Sequence, residues 1–296
     1  MTEITEHQIT TPDRRTLMVR EGGDPEGFPV FIHHGTPAAG LLFKDWAEDA
    51  RGRGLRLLTH DRPGYGGSDR QPGRIVASVV ADIRVMADEL GLDRFATWGI
   101  SGGGPHALAC AAMLPDRVTA AASLASVAPM DAEGLDFMAG MGEDNVTEFS
   151  LALEDPDALR VLIEKWRIAM LEAEPEQVFE SMKSLLSEVD QAVLTGEVAQ
   201  FIHDSGQVGL ADGVDGWFDD DLAFASGWGF DLDDIEVPLL LWQGRQDLFV
   251  PFAHGEWLAK HIPRVDARLL AEEGHVTLMV TRVADTHEWL KEKSGL

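Results

Sequence analysis

The sequence predicts an α/β fold in which a mostly parallel sheet carries helices on both faces. Between residues 30 and 127, short apolar runs typical of buried strands alternate with helical stretches, which is the rhythm of repeated strand–helix–strand units. The same rhythm resumes after residue 222, beyond a long stretch that shows helical patterns and no convincing strand. Together these two observations predict one sheet-containing core with a helical insertion.

The N-terminal part begins with a hairpin and continues as strand–helix units. The turn Thr11-Pro12-Asp13 joins two short strand-like runs, which suits a hairpin. Apolar residues at spacings of three and four then predict a long helix, and Gly91 ends it. The predicted strands are 3–10, 16–21, 30–34, 56–59, 94–98 and 118–127, and the predicted helices are 41–51, 75–90 and 106–113.

The C-terminal part holds the helical insertion, a Gly- and Asp-rich tract, and then two further strand–helix pairs. The predicted elements are helices at 158–173 and 175–193, the tract at 206–221, a strand at 237–243, a helix at 252–261, a strand at 267–270 and a helix at 276–291. We therefore expect a core of residues 1–130 and 223–296, with a helical cap of residues 131–222 over the site.

Composition and charge restrict the partners of the chain. Its 296 residues include 24 Lys and Arg against 51 Asp and Glu, which gives a net charge of −27. Such a surface repels nucleic acids and anionic membranes, so we expect neither as a partner. The acidity is typical of a highly soluble surface, and a weaker interpretation is that it attracts cationic substrates.

The cellular compartment is predicted from cysteine content and from the lack of a signal-peptide pattern or a membrane span. The single cysteine, Cys110, allows no internal disulfide, and the N-terminal residues lack the apolar core of a signal peptide. No run reaches the ~20 apolar residues of a membrane span. We expect a cytoplasmic protein, and the sequence predicts no oligomeric state.

A glycine-rich turn at residues 99–103 fits the pattern G-x-S-x-G and places Ser101 between a predicted strand and a predicted helix. This pattern is typical of a nucleophile elbow, a tight and strained turn that pushes a serine hydroxyl out above the sheet. A phosphate-binding loop is the alternative, but its Lys and its spacing are missing. A turn that needs glycines and carries an incidental serine is the other alternative.

Asp247 and His275 follow two later strands and complete a Ser, Asp, His order along the chain. A serine hydroxyl needs a base to take its proton, and the base needs a carboxylate to hold its tautomer. Groups at the carboxyl ends of parallel strands meet at one edge of the sheet. Asp131 or Glu133 could supply the acid instead, and Asp247 could serve only as a helix cap.

Two backbone N–H groups are predicted to hold the oxyanion, one from Gly102 and one from Thr36. Gly35 permits the turn before Thr36, and the next residue is a proline without an N–H to give. An ordinary strand-to-helix loop is the alternative for this segment. His34, beside it, is expected to brace the loop by hydrogen bonds and is also a candidate substrate contact.

Among the other histidines, His33 is expected to brace the same loop and His106 to face away from the serine. His203 lies in the helical insertion without support for a role. Candidates to line an apolar pocket under the cap are Phe137, Met138, Met141, Trp166 and Met170, although packing within the cap is the more common use of such residues.

Five segments in this order resemble landmarks of the α/β-hydrolase superfamily, in its capped branch with proline iminopeptidase-like and esterase-like members. The segments are residues 33–37, 61–68, 99–103, 244–247 with 250–251, and 274–275. The resemblance covers nearly the whole core and implies an eight-stranded sheet with a cap inserted after the sixth strand. Proline iminopeptidases usually carry two glycines and then Pro-Gly after the oxyanion histidine, with Trp beside the nucleophile. This chain has Gly35-Thr36-Pro37 and Gly102 at those places.

We therefore predict a serine hydrolase that cleaves a small ester, lactone or amide through an acyl-enzyme, with a carboxylesterase favoured over an iminopeptidase-like aminopeptidase. We expect no cofactor and no metal. The serine differs from the Asp nucleophile of the dehalogenase and epoxide-hydrolase branches. A non-catalytic ligand-binding protein on the same fold remains an alternative, as does non-hydrolytic chemistry such as that of a lyase or a perhydrolase, because fold alone does not fix activity.

Overall fold

Eight strands form one sheet within residues 4–296, the part that the computed structural model describes apart from the side chains of Phe179 and Ser181. They are β1 (Thr5–Thr10), β2 (Thr16–Gly23), β3 (Phe28–His33), β4 (Leu55–His60), β5 (Phe95–Ile100), β6 (Val118–Leu124), β7 (Leu239–Gly244) and β8 (Asp266–Leu270). Their order across the sheet is β1-β2-β4-β3-β5-β6-β7-β8. The pairs β1–β2 and β2–β4 are antiparallel and all later pairs are parallel, so the predicted fold class is confirmed. The predicted start of the first strand at residue 3 lies outside the described residues.

Helices connect the strands and fill the stretch between β6 and β7. They are α1 (Lys44–Arg53), α2 (Val79–Glu89), α3 (Gly104–Met113), α4 (Glu143–Glu154), α5 (Pro156–Glu172), α6 (Val178–Ser181), α7 (Glu188–Val193), α8 (Gly196–Gly209), α9 (Asp215–Phe224), α10 (Phe252–His261), α11 (Val276–Thr281) and α12 (Val283–Lys293). Short 3₁₀ turns lie at Val76–Ser78, Ser101–Gly103, Pro175–Gln177, Lys183–Leu185 and Leu232–Asp234.

The two faces of the sheet pack against two separate helix layers. Along β3, Phe31 joins one apolar cluster with α2, α3 and α10, whereas Val30 and Ile32 join another with α1, α11 and α12. This alternation follows from the two-residue period of a strand, and it explains why the run is apolar throughout. Because β3, β5, β6, β7 and β8 run parallel, the carboxyl ends of β3, β5, β7 and β8 lie at one edge of the sheet, where their loops carry the residues of the predicted site.

We call α4 to α9, residues 143–224, the helical insertion. Its own apolar cluster includes Leu159, Ile163 and Trp217. The helix α9 runs to Phe224 and so crosses the predicted boundary at residue 222. Within the described residues, no strand interrupts the chain between β6 and β7.

Two predicted helices are broken in the structure. The stretch 175–193 divides into two 3₁₀ turns and the short helices α6 and α7. Leu186 and Ser187 are extended, and Ser187 Oγ accepts the N–H of Asp190 at 3.4 Å to begin α7. The stretch 276–291 divides at Arg282, where φ is −113°. The Arg282 guanidinium there donates to Glu273 Oε1 at 2.6 Å, which holds the end of α11 toward the preceding loop.

Candidate active site

Ser101 occupies a strained turn between β5 and α3. Its φ of 54° lies in the left-handed region, which is uncommon for a residue with a side chain. A Cβ on Gly99 would overlap the Gly103 carbonyl, and a Cβ on Gly103 would overlap the His33 carbonyl. The glycines are therefore needed because backbone segments approach each other closely at this turn. Ser101 lies between the two glycines and carries a side chain.

His275 and Asp247, 28 residues apart, meet at the ends of β7 and β8. The His275 Nδ1 lies 2.8 Å from Asp247 Oδ2, and Asp247 Oδ1 accepts the N–H groups of Phe249 at 2.9 Å and Val250 at 2.8 Å. Because the carboxylate only accepts, Nδ1 carries the proton in the neutral imidazole, and Nε2 is then an acceptor. Asp131 and Glu133 make no such contact with His275 in the described chain.

The charges around His275 favour its protonated form. Burial of the imidazole lowers its pKa, but the carboxylate of Asp247, and after it that of Asp190, outweigh this effect, so the pKa of His275 lies above its ordinary value. Burial raises the pKa of Asp247, against the opposing effect of His275. The ring of Phe249 stacks on the imidazole, with centroids 4.4 Å apart and planes inclined by 23°, and fixes its orientation.

Ser101 and His275 line the same cavity, about 470 Å³ in volume. Within residues 4–296, no hydrogen bond joins the Ser101 hydroxyl to the imidazole. In enzymes without substrate this contact is often long and tightens only when substrate binds. The arrangement thus places a serine hydroxyl and an imidazole in the lining of one cavity, with the imidazole bonded to a buried carboxylate.

The loop after β3 places Thr36 beside the serine. A Cβ on Gly35 would lie 3.5 Å from Ser101 Cβ, and a Cβ on Gly102 would overlap Thr36 Oγ1. The two residues predicted to hold an oxyanion are therefore adjacent to each other and to the serine. The backbone N–H of Thr36 donates to none of the described residues, so it is available to a ligand.

His34 lines the cavity, but both of its ring nitrogens are occupied. Its Nδ1 lies 2.7 Å from the Gly35 carbonyl oxygen, and its Nε2 accepts the Arg62 N–H at 3.0 Å. Burial and the nearby Arg62 guanidinium hold the pKa of His34 well below its ordinary value. The neutral imidazole therefore braces the loop, as the sequence suggested, and has no free nitrogen for a substrate.

Of the other residues predicted to line the cavity, Trp166 and Met170 do so. Phe137, Met138 and Met141 do not, because they pack into the core cluster on one face of the sheet. The ring of Phe137 packs edge-on against His254, at 4.8 Å between centroids, and its carbonyl lies 2.8 Å from His254 Nε2. These three residues therefore act in packing, and their predicted contact with substrate is corrected.

A family model described as the alpha/beta hydrolase fold matches residues 29–281 of the chain. The chain belongs to the α/β-hydrolase family. A hydrolase function is therefore supported for it. The described residues contain no helix long and apolar enough to cross a membrane, and within them no cluster of three or more His, Cys, Asp or Glu side chains is arranged to hold a metal ion.

Three similar proteins indicate the range of this hydrolase family. Over 251 residues, or 83% of each chain, the sequence is 28% identical to a non-heme chloroperoxidase from Streptomyces lividans. It is 26% identical to a bifunctional esterase/perhydrolase from Acinetobacter calcoaceticus over 252 residues, which cover 82% of this chain and 83% of the relative. A thermophilic esterase from Thermogutta terrifontis shares the fold, with a TM-score of 0.72, 22% identity and coverage of 98% of this chain and 99% of that one.

The hydrolase also contains a buried ionic cluster that sequence reasoning missed. Asp220 on α9 is fully buried and accepts Arg62 Nη2 at 2.7 Å, Arg74 Nη1 at 2.6 Å, Tyr65 Oη at 2.9 Å and Thr36 Oγ1 at 2.6 Å. Burial raises the pKa of this carboxyl, but the two guanidinium groups outweigh burial and hold its pKa well below the ordinary value. A charge on the helical insertion thus holds Thr36, in the loop after β3.

A second acidic group of the hydrolase lies on the cavity wall. Asp221 and Glu148 are both buried, both line the cavity, and Trp217 Nε1 donates to Glu148 Oε1 at 2.5 Å. Burial, and then the nearby Glu148 carboxyl, raise the pKa of Asp221 well above its ordinary value. Burial also raises the pKa of Glu148. Both shifts favour the protonated form of these carboxyl groups, because burial and a nearby like charge disfavour the ionised form.

The sequence indicates only in part that Arg62 and the acidic residues 219–221 form buried clusters. The segment 61–68, which contains Arg62, is one of the family landmarks, but nothing in it shows which anion the guanidinium meets. The acidic residues 219–221 belong to a tract whose composition is typical of a solvated loop, yet they lie on a buried helix.

Proposed function

We propose that this hydrolase cleaves small apolar esters through an acyl-enzyme, with Ser101 as nucleophile, His275 as base and Asp247 as the carboxylate that orients the base. One observation carries the proposal: a left-handed serine at a strand–helix turn shares a cavity with an imidazole whose Nδ1 is bonded to a buried carboxylate. A serine hydroxyl becomes a strong nucleophile only when such a base takes its proton.

In the proposed reaction, His275 Nε2 accepts the hydroxyl proton as Ser101 Oγ attacks the ester carbonyl carbon. The N–H groups of Thr36 and Gly102 donate to the oxygen on which negative charge develops. The imidazolium then donates its proton to the departing alcohol, and the acyl group stays on the serine. Water, activated by the same imidazole, attacks the acyl-enzyme and releases the acid.

The walls of the cavity support an apolar substrate. Trp166, Met170 and Phe201 from the helical insertion contribute, as do Ile100 and Met279 from the core. Its described lining includes no Lys or Arg, so a carboxylate or phosphate on the substrate would lack a counter-ion. The helical insertion accordingly acts as the cap over residues of the core, and its side chains select the substrate.

Perhydrolysis is a second candidate, favoured by the 26% identity to a relative named as both esterase and perhydrolase. The acyl-enzyme would be the same. Hydrogen peroxide would replace water as the acceptor, so that the acyl group leaves Ser101 as a peracid instead of an acid. Product analysis with and without added peroxide separates the two activities.

Labelling with a fluorophosphonate probe, together with turnover of p-nitrophenyl esters of increasing chain length and of aminoacyl amides, tests the proposal. Ser101→Ala should abolish labelling and reduce kcat by about 10⁴-fold or more. Alanine keeps the serine Cβ, so the substitution leaves the strain of the turn unchanged. Turnover of the amides and not the esters would indicate the aminopeptidase alternative.

The matched control is Ser226→Ala, which removes an exposed serine outside the cavity. This variant should label and turn over like the wild type. Labelling that persists in Ser101→Ala, or ester turnover equal in Ser101→Ala and the wild type, would contradict the proposal and favour a ligand-binding protein.

A further inference from the structure

A carboxylate from the helical insertion holds the loop that carries His275. Asp190 lies on α7 and is fully buried. Its Oδ2 accepts the backbone N–H of His275 at 3.0 Å, and its Oδ1 accepts the backbone N–H of Thr277, also at 3.0 Å. One side chain thus bonds the backbone of the base and of the residue two positions later.

The approach of this carboxylate requires the glycine before the histidine. A Cβ on Gly274 would overlap all three carboxylate atoms of Asp190. Ser187 Oγ donates to Asp190 Oδ2 at 2.7 Å and so holds the carboxylate from its own helix. Among the described residues no Lys or Arg pairs with Asp190, so its carboxylate is held by hydrogen-bond donors alone.

We infer that Asp190 is a positioning residue for the base: it fixes the His275 backbone from the helical insertion, so that the imidazole stays aligned on Asp247 while the insertion is docked. The role in catalysis rests on the proposed function. The role in placing the imidazole rests on the hydrogen bonds alone. Misplacement of a catalytic group by about 1 Å costs ~10²-fold in rate, so backbone anchoring of this kind has a measurable effect.

Asp190 acts on the imidazole through its charge as well. The ionisable groups whose charges act on His275 are Asp247, on the loop after β7, and Asp190, on α7. The other close neighbour is the uncharged ring of Phe249. Removing the Asp190 charge should therefore lower the pKa at which His275 takes up its proton, which a contact that only docks two helices would not do.

Asp190→Asn tests the inference, with Glu188→Gln as the matched control on an exposed acid of the same helix. The amide retains one acceptor oxygen and turns a donor toward a backbone N–H. We expect fluorophosphonate labelling of Ser101 to slow by about 10- to 100-fold and the acidic midpoint of its pH profile to move to lower pH. Glu188→Gln should change neither.

The pKa of His275, read by NMR from the imidazole signal that disappears in His275→Gln, is measured in parallel and needs no activity. A lowered pKa in Asp190→Asn supports the inference even if the wild type never labels, and that result would contradict only the proposed function. Equal labelling rates and equal imidazole pKa values in Asp190→Asn and Glu188→Gln would overturn the inference.

Hydrogen exchange in the wild type keeps the inference testable if Asp190→Asn does not fold. The amide protons of His275 and Thr277 should exchange slowly and with the same protection factor, because one carboxylate accepts both. Free exchange at these two amides, with protection retained in the rest of α11, would overturn the inference.

Discussion

Asp220 and Asp221 are neighbours on α9, both are buried, and the pKa values of their carboxyl groups shift in opposite directions. Burial raises both pKa values. Asp220 faces the core, where Arg62 and Arg74 reverse the effect, whereas Asp221 faces Glu148 on the cavity wall, where a second acid reinforces it. The direction of the pKa shift of a buried carboxyl group is therefore set by the neighbours on its face of the helix, and not by the helix itself.

The two faces have different consequences for the hydrolase. The Asp220 face carries an ion-paired network that connects the helical insertion to the loop after β3 through Thr36 Oγ1. The Asp221 face carries two carboxyl groups with raised pKa values, and both line the proposed substrate cavity. One face holds a loop in place by ion pairs and hydrogen bonds, and the other presents a titratable group to the cavity.

The largest effect should come from breaking the ionic face. Asp220→Asn leaves Arg62 and Arg74 buried without a full counter-charge, and removing one partner of such a buried cluster costs about 3–5 kcal/mol of unfolding free energy. The measurement is urea-induced unfolding at neutral pH. We also expect slower labelling of Ser101, because Thr36 loses the carboxylate that holds it.

Asp219→Asn is the matched control, on the same helix and with the same change. Its partner Arg70 is partly exposed, so the loss should be within about 1 kcal/mol. Since the folded pKa of Asp220 is depressed, its stabilisation is present above the unfolded value of ~3.9 and is lost as pH falls below it. An equal loss in both variants, or a difference that persists unchanged at pH 2, would contradict the ionic description.

The core of the site could be predicted from sequence because its constraints are local. Gly99 and Gly103 are required by the single turn that carries Ser101, and the order of Ser101, Asp247 and His275 along alternating strands places their loops at one edge of the sheet. The predicted helix 252–261 matches α10, and the predicted end at residue 90 lies within one residue of the end of α2. The predicted start at residue 75 is too early, because residues 76–78 form a 3₁₀ turn before α2.

The contribution of the helical insertion could not be predicted, because it depends on pairings across the fold. Asp220 meets Arg62 from 158 residues earlier in the chain, and Asp190 meets His275 from 85 residues away. Their sequence context is that of any acidic surface helix. Phe137 shows the converse error, since an apolar residue within the predicted cap (131–222) packs into a core cluster of the sheet.

The next effect concerns the proton on the cavity face. Because the folded pKa of Asp221 is raised, the folded state holds a proton that the unfolded state releases above ~3.9, and stability should fall as pH rises through this window. Asp221→Asn mimics the protonated acid and removes this dependence. We expect the variant to gain about 1 kcal/mol relative to the wild type between pH 5 and pH 8, measured by urea unfolding. The exposed Asp212→Asn should show no such gain.

The smallest effect should come from changing the partner of that proton. In Glu148→Gln the amide oxygen still accepts Trp217 Nε1, and the amide nitrogen can donate to Asp221. The like charge is removed while the packing is kept, so the pKa of Asp221 should fall and the pH dependence of stability should weaken by a few tenths of a kcal/mol. The exposed Glu154→Gln on the same helix, α4, serves as control. A pH dependence identical in Glu148→Gln and the wild type would show that burial alone, without the second carboxyl, sets the behaviour of the cavity face.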